Sequence, residues 1–309
     1  MKTLKIGTRE SQLAVWQAKR VQQLLAEHHI KSELVLIKSE GDIDLVTPLY
    51  ALGVQGVFTR TLDAALLSDK IDIAVHSMKD VPTQLAMGIV QAAVLERASY
   101  KDLLILNNNR KEAKDIKLSE VPVTIATSSI RRRSQWLNRY PNHSIDNLRG
   151  NVNTRLKKVA ESNWYGAIFA AAGLERIELR PENAVELDWM LPAPAQGAIM
   201  IVCRNNDEDS KEICAQLNHE ATAICTHIER DFLKTLMGGC STPVSALAEI
   251  RNEDLYFTGN IFSLDGTLKK EISLSVQHTS DAANIGVRAA QQLLSEGADK
   301  IVESIRNGS

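Results

Sequence analysis

Apolar positions along the first 80 residues change period several times, and each change marks an element. Residues 4–7 form a short apolar run, after which Leu13, Trp16, Ala18, Val21, Leu24 and Leu25 recur at helical spacing. The first pattern predicts a strand and the second a helix with one buried face. A strand over 34–37, a helix near 58–67 and a strand over 71–75 follow by the same reading. The succession then repeats, with a strand at 123–126, a helix near 130–140, a strand before Arg149, a helix near 154–160 and a strand at 167–170. Such alternation predicts α/β units with mainly parallel strands. Past Pro192 and Pro194 come a strand over 198–203, an acidic loop and a helix over 219–236. That helix sets Ala221, Ile224, Cys225, Ile228, Phe232 and Leu236 on one face, which makes Cys225 a core residue. Strands at 244–248, 255–261 and 271–276 and a last helix near 282–294 complete a small α+β domain.

The two α/β stretches also resemble each other. KIGTRES (5–11) and TIATSSIRR (124–132) both run from an apolar strand to hydroxyl and arginine residues that open a helix. DIAVHSMKD (72–80) and GAIFAAAGL (166–174) are both strands that empty into a small-residue turn. Two lobes of similar design are expected, with ligand groups at the carboxyl ends of strands facing a shared cleft. Helix N-termini at those ends offer amide hydrogens to an anion.

Composition narrows the partners. The net charge of −2 (36 basic against 38 acidic residues) gives no global pull toward nucleic acid or an acidic membrane. No stretch has the length and apolarity of a membrane span, and the N-terminus carries no signal-peptide pattern. Cys203, Cys214, Cys225 and Cys240 are widely spaced with no Cys-x-x-Cys pair. Free thiols in a reducing compartment, the cytoplasm, are the expectation.

Against the near-neutral whole, residues 127–158 hold eight basic side chains and one acid, Asp146. Arg133, Arg139, Lys157 and Lys158 fit a solvated helix face. Arg131, Arg132, Arg149 and Arg155 sit instead at element ends beside small or hydroxyl residues, Thr127, Ser128 and Ser129 among them. The planar fork of arginine suits carboxylates or phosphates, so polyanion binding is the first functional reading. Nucleic acid is disfavoured by the 5% aromatic content and the lack of a nucleic-acid motif. A small molecule rich in carboxylates fits better. VHSMKDVP (75–82) adds Lys79 to the cations and Asp80 as an acid among them. Asp80 is either a cap or salt-bridge partner, or a carboxylate that meets positive charge developing on a substrate. Cys240, within MGGCSTPVS (237–245), is likewise either a small residue at a turn or a thiol presented for covalent chemistry.

GTRES, DIAVHSMKDVP, TSSIRRR, LRGNVNTR (148–155), AAAGLERI (170–177), LPAPAQGA (191–198), LNHEATA (217–223) and GGC (238–240), in that order, resemble the porphobilinogen deaminases, or hydroxymethylbilane synthases. The likeness runs over nearly the whole chain. It implies two α/β lobes like those of periplasmic binding proteins and a smaller C-terminal α+β domain. Domain 1 is then 1–96 plus 196–216, domain 2 is 97–195 and domain 3 is 217–309. It also implies a dipyrromethane cofactor held through a thioether at Cys240, extended by four porphobilinogen units with loss of ammonia. Hydrolysis then releases the linear hydroxymethylbilane. By the same likeness Asp80 is the catalytic carboxylate, and Lys79, Thr127, Ser128, Ser129, Arg131, Arg132 and Arg155 hold the cofactor. Arg9, Ser11, Phe58, Arg149, Arg176 and Gln196 meet the substrate. A cytoplasmic monomer without metal, nucleic acid or membrane partner is the family expectation. The chain departs from the family pattern in LGVQGVF (52–58), where Gln55 and Ala51 replace lysines and Val54 a glycine. Glu40 stands where a basic residue is common, and Ser241-Thr242 replaces a usual Gln-Val. Two other classes compete: a two-lobed anion-binding protein without catalysis, and a nucleic-acid-binding protein.

Overall fold

The computed structural model describes residues 3–38, 59–107, 118–236, 242–277 and 284–307. Chain contacts divide the described residues into two compact units, one holding 3–38, 59–99 and 196–224, the other 100–107, 118–195, 225–236, 242–277 and 284–307.

In the first unit the elements run β1 (Leu4–Arg9), α1 (Gln12–Glu27), β2 (Ser32–Ile37), α2 (Arg60–Leu67), β3 (Ile73–Ser77) and β4 (Ile89–Val94). In the second, β5 (Asp102–Leu106) precedes β6 (Thr124–Ala126), α3 (Ile130–Arg139), β7 (Ser144–Asp146), α4 (Val152–Glu161), β8 (Gly166–Ala170), α5 (Ala171–Glu175) and β9 (Ala184–Glu186). The chain then re-enters the first sheet as β10 (Ile199–Arg204), followed by α6 (Glu208–Ala215) and α7 (Glu220–Thr235). A meander of β11 (Val244–Arg251), β12 (Asp254–Phe262) and β13 (Lys269–Gln277), with α8 (Ile285–Leu293) and α9 (Asp299–Asn307), completes the second unit.

The two larger sheets share one plan. Their orders are β2-β1-β3-β10-β4 and β7-β6-β8-β5-β9, so each position in one has a counterpart in the other. In each, three parallel strands are followed by one antiparallel strand, β10 or β5. The strands are thus mainly parallel, as expected, with one antiparallel member in each sheet. The sequence rhyme is real at this level: β1 corresponds to β6 and β3 to β8. Ser11 and Ser129 cap the helices that follow, accepting from the N–H of Ala14 and Arg132 respectively.

The strands are apolar because both faces are covered. Ile6, Ile73, Val75, Ile199, Ile201 and Cys203 pack with Ala18, Val21 and Leu25 of α1 in one core. Trp16, expected on that stripe, lies at its rim and is 36% exposed. Its place is taken by Gln17, whose Nε2 donates to Ser77 Oγ at 2.9 Å and so pins the end of β3. The second unit buries Leu103, Ile105, Ala126, Ala167 and Phe169 on one side of its sheet, and Leu104, Ile125, Ile168 and Trp136 on the other. The predicted acidic loop after 203 is in fact α6. Asp207 caps it, and Glu208 and Asp209 stand in its first turn, where they favour the positive end of the helix dipole.

Candidate active site

All the nominated residues that are described lie at one kind of place. In the first sheet, β1 ends at Arg9 and leads to Ser11; β3 ends at Ser77 and opens into a single 3-10 turn over Met78–Asp80. Since β1 and β3 are parallel, Arg9, Ser11, Lys79 and Asp80 share the carboxyl edge of that sheet. The antiparallel β10 starts there too, with Ile199 opposite Ser77, so Gln196 arrives at the same edge. Lys79 Nζ donates to Gln196 Oε1 at 3.1 Å, which brings two of the expected residues together.

Gln196 is 1% exposed and tightly held. Its carbonyl accepts from Arg97 Nε at 2.8 Å, and its neighbours Ala195 and Gly197 both have left-handed backbone, at φ of 61° and 89°. A Cβ at position 197 would stand 2.6 Å from the Ala98 carbonyl oxygen, so only glycine fits that close approach. Ala195 has no such licence, and its strained conformation costs on the order of 1 kcal/mol. It is held by the buried Glu229 of α7, whose carboxylate accepts from the N–H of Ala195 at 2.6 Å and of Ala248 at 2.8 Å.

Behind Lys79 and Asp80, His76 is buried, and desolvation followed by the nearby Arg9 charge lowers its pKa to about 4. The imidazole is neutral at physiological pH. Asp80 itself is half-buried at the end of the turn, and no ion pair to it is formed among the described residues. Ser77, not Asp80, holds the capping position of that turn.

The second unit repeats the arrangement with more charge. Residues 127–132 follow β6, Arg149 and Arg155 follow β7, and Arg176 closes α5 after β8. The hydroxyls here are partly engaged by backbone: Ser128 Oγ donates to the Leu148 carbonyl at 2.7 Å, and Thr127 Oγ1 accepts from the Ser129 N–H at 3.2 Å. Those bonds fix the loop after β6 against the segment that delivers Arg149. Asn151 caps α4 by accepting from the Thr154 N–H at 3.0 Å, and Arg155 Nε donates to the Gly150 carbonyl at 2.7 Å. Arg176 is 9% exposed, and burial draws its pKa down to about 10. At neutral pH it stays charged.

Arg131 and Arg132 are 5% and 6% exposed, and both reach Asp102, the first residue of β5, which is fully buried. Arg131 Nη2 donates to Asp102 Oδ2 at 2.8 Å; Arg132 donates from Nη2 at 2.8 Å and Nε at 3.1 Å to Oδ1. Each guanidinium also serves a carbonyl, Leu191 for Arg131 and Ile168 for Arg132. By contrast Arg133 and Arg139 are exposed, as a solvated face requires, with Arg139 lying 4.8 Å over the Trp189 ring.

Asp102 and Glu229 are the residues that the pattern reading passed over. Asp102 stands directly before the apolar run 103–106, and Glu229 lies four residues after Cys225 on the apolar stripe of α7. An acid in either place is the signal of a buried carboxylate with dedicated partners. Cys240 and Phe58, with the segment 52–58, lie outside the described residues.

The porphobilinogen deaminase dipyromethane cofactor binding domain matches residues 4–212, and the porphobilinogen deaminase C-terminal domain matches residues 223–295. The chain belongs to the porphobilinogen deaminase family. A porphobilinogen deaminase of Chlorobium phaeobacteroides (strain BS1) is 38% identical over 312 residues, covering 99% of this chain and 98% of its own. That of Chloroherpeton thalassium is 39% identical with the same coverage, and that of Syntrophotalea carbinolica 38% identical over 98% of this chain and 96% of its own. Among solved structures, the methionine binding protein MetQ aligns with a TM-score of 0.44 at 14% identity, over 70% of this chain and 89% of that one. The enzyme is therefore a hydroxymethylbilane synthase, which joins porphobilinogen units on a dipyrromethane cofactor in tetrapyrrole synthesis.

The donor set at the sheet edges fits such a group. Its acetate and propionate side chains are carboxylates, and Arg131 keeps a buried Nε with no hydrogen-bond partner among the described residues, where two guanidinium groups share one aspartate. A donor left over next to excess positive charge is the complement of a carboxylate ligand.

Proposed function

We propose that Cys240 carries the dipyrromethane through a thioether, and that Asp80 is the catalytic carboxylate of the four successive condensations. When bound, dipyrromethane would supply the pyrrole carbon to which the first porphobilinogen unit is joined, each later unit joining the ring added before it. The residues of the chain do the rest. Lys79, Thr127, Ser128, Ser129, Arg131, Arg132 and Arg155 hold the cofactor, the cations by pairing with its carboxylates. Arg9, Ser11, Arg149, Arg176 and Gln196 receive the substrate, with Phe58 beside the reacting ring. Asp80 faces the pyrrole N–H of the substrate, offsets the positive charge that develops as ammonia leaves, and moves a proton there.

The observation that carries this reading is the common address of the described residues. Arginines drawn from separate parts of the sequence gather at the carboxyl edges of the two sheets, where α/β proteins bind ligands. The absence of an ion pair to Asp80 among the described residues favours chemistry over capping.

Domain 1 is read as 1–96 plus 196–216, domain 2 as 97–195 and domain 3 as 217–309. A cytoplasmic monomer is the accompanying reading. Cys203, Cys214 and Cys225 are buried and form no disulfide among the described residues, as suits a reducing compartment, and no helix of the described residues is long and apolar enough to cross a membrane.

The test is peptide mass mapping of the purified chain, with ammonia measured after porphobilinogen is added. Dipyrromethane on the Cys240 peptide and on no other cysteine is the expected result. Burial raises the Cys214 thiol pKa to about 12 and raises that of Cys203, so neither supplies a ready thiolate. Ammonia release from a chain whose Cys240 is unmodified would refute the attachment.

A further inference from the structure

Asp102, at the carboxyl edge of the second sheet, touches two of the expected cofactor-holding cations, and it lies outside every motif that identified them. It is 0% exposed, and its backbone is locked into β5 opposite Ala170 at the end of β8. Its two oxygens are divided: Oδ2 takes Arg131 and Oδ1 takes Arg132. One carboxylate thus sets the spacing of two guanidinium groups that come from adjacent residues on the first turn of α3.

The charges do not balance. Two cations against one anion leave a net positive charge among three residues no more than 6% exposed. Unpaired buried charge is costly, so a cluster built only for stability would carry two acids or none. Arg131 Nε is also buried with no hydrogen-bond partner among the described residues. Positive excess and a spare donor at the same point call for one further carboxylate from a ligand.

We infer that Asp102 is a positioning residue for the cofactor, bridging Arg131 and Arg132 so that the pair presents a fixed fork to a dipyrromethane carboxylate. This rests on the reading that those arginines hold the cofactor. Without the bridge the two like charges, side by side on one helix turn, repel and swing apart. With it they are held at the spacing a carboxylate needs.

Two variants of the full chain test the idea. Asp102→Asn keeps the size and loses the charge; Asp102→Glu keeps the charge and displaces it by one methylene. Each is produced without porphobilinogen, checked for parent-like circular dichroism, then given porphobilinogen while intact mass reports cofactor loading. Loading slowed by about tenfold or more, with a raised porphobilinogen concentration for half-maximal rate, is expected for both, since the charge-assisted hydrogen bonds that space the two guanidinium groups are lost or misplaced. Arg133→Leu, on the exposed face of α3, serves as control and loads at the parent rate. Should Asp102→Asn not fold, Asp102→Glu decides. Either variant folding and loading like the parent would overturn the inference. A parent chain that gains no mass from porphobilinogen would instead overturn the cofactor reading beneath it.

Discussion

An aspartate at the end of a short turn is ordinarily occupied in capping or pairing, and Asp80 does neither with the described residues. On the proposed reading, its value lies in the charge it offers to a substrate. Asp80→Asn is accordingly expected to leave the fold and melting temperature near those of the parent while lowering kcat by about a hundredfold or more, the scale of an electrostatic catalytic group. Steady-state ammonia release beside a thermal melt measures both; near-parent turnover would return Asp80 to a structural part. The arginines separate by burial in the same way. Arg132→Leu removes a partner of a buried carboxylate, and about 3–5 kcal/mol of stability should go with it. Arg139→Leu, on the exposed face, should shift stability by no more than about 0.5 kcal/mol. Parallel denaturant titrations compare the two. Adjacent letters in one arginine run thus have different fates, set by which face of α3 each occupies.

At the scale of elements, α1, α3, α4, α7 and α8 and strands such as β1, β3, β8 and β10 were legible from their apolar periods, whereas α9 lies beyond the helix near 282–294 that was expected to be the last. β4, β5 and β9 escaped, and each is a short strand whose place is set by partners distant in sequence. β5 pairs with β8 and β9, and β4 with β10. α6 escaped because its acidic letters read as a loop, although acids in a first turn after Asp207 are what a helix start favours. The clearest case of one element serving another is α7. Glu229 reaches from it to two backbone N–H groups, of strained Ala195 and of Ala248 in β11. Glu229→Gln halves the acceptors and brings an N–H toward groups that already donate. A loss of about 1–3 kcal/mol is expected from chemical denaturation. The KM for porphobilinogen should rise as well, because Ala195 precedes Gln196. A variant as stable as the parent would show that the bridge is dispensable.

At the scale of the whole molecule, His76 links the first core to pH. Its folded pKa of about 4 lies below the ordinary value near 6.5, so the unfolded chain takes up this proton first as pH falls. The stabilisation is whole above pH 6.5, declines between about 6.5 and 4, and is lost below, a total on the order of 3 kcal/mol. Asp63, which lines a small pocket together with His76, has its pKa raised by burial and acts in the opposite sense, gaining stability as pH falls. Comparing the parent with His76→Gln isolates the histidine: the slope of unfolding free energy over pH 4–6.5 should flatten in the variant, and equal slopes would show that His76 does not govern it. By its residues alone the chain declared two related α/β halves, an arginine site, a candidate carboxylate and a candidate thiol, because periodicity and the chemistry of side chains are local properties. Only the tertiary structure decided that the fourth strand of each large sheet is antiparallel, that Gln196 sits between two left-handed residues, and that Arg131 and Arg132 share Asp102. Those facts depend on residues from 29 to more than 100 positions apart meeting across a sheet, and no local period records where a distant strand will pair.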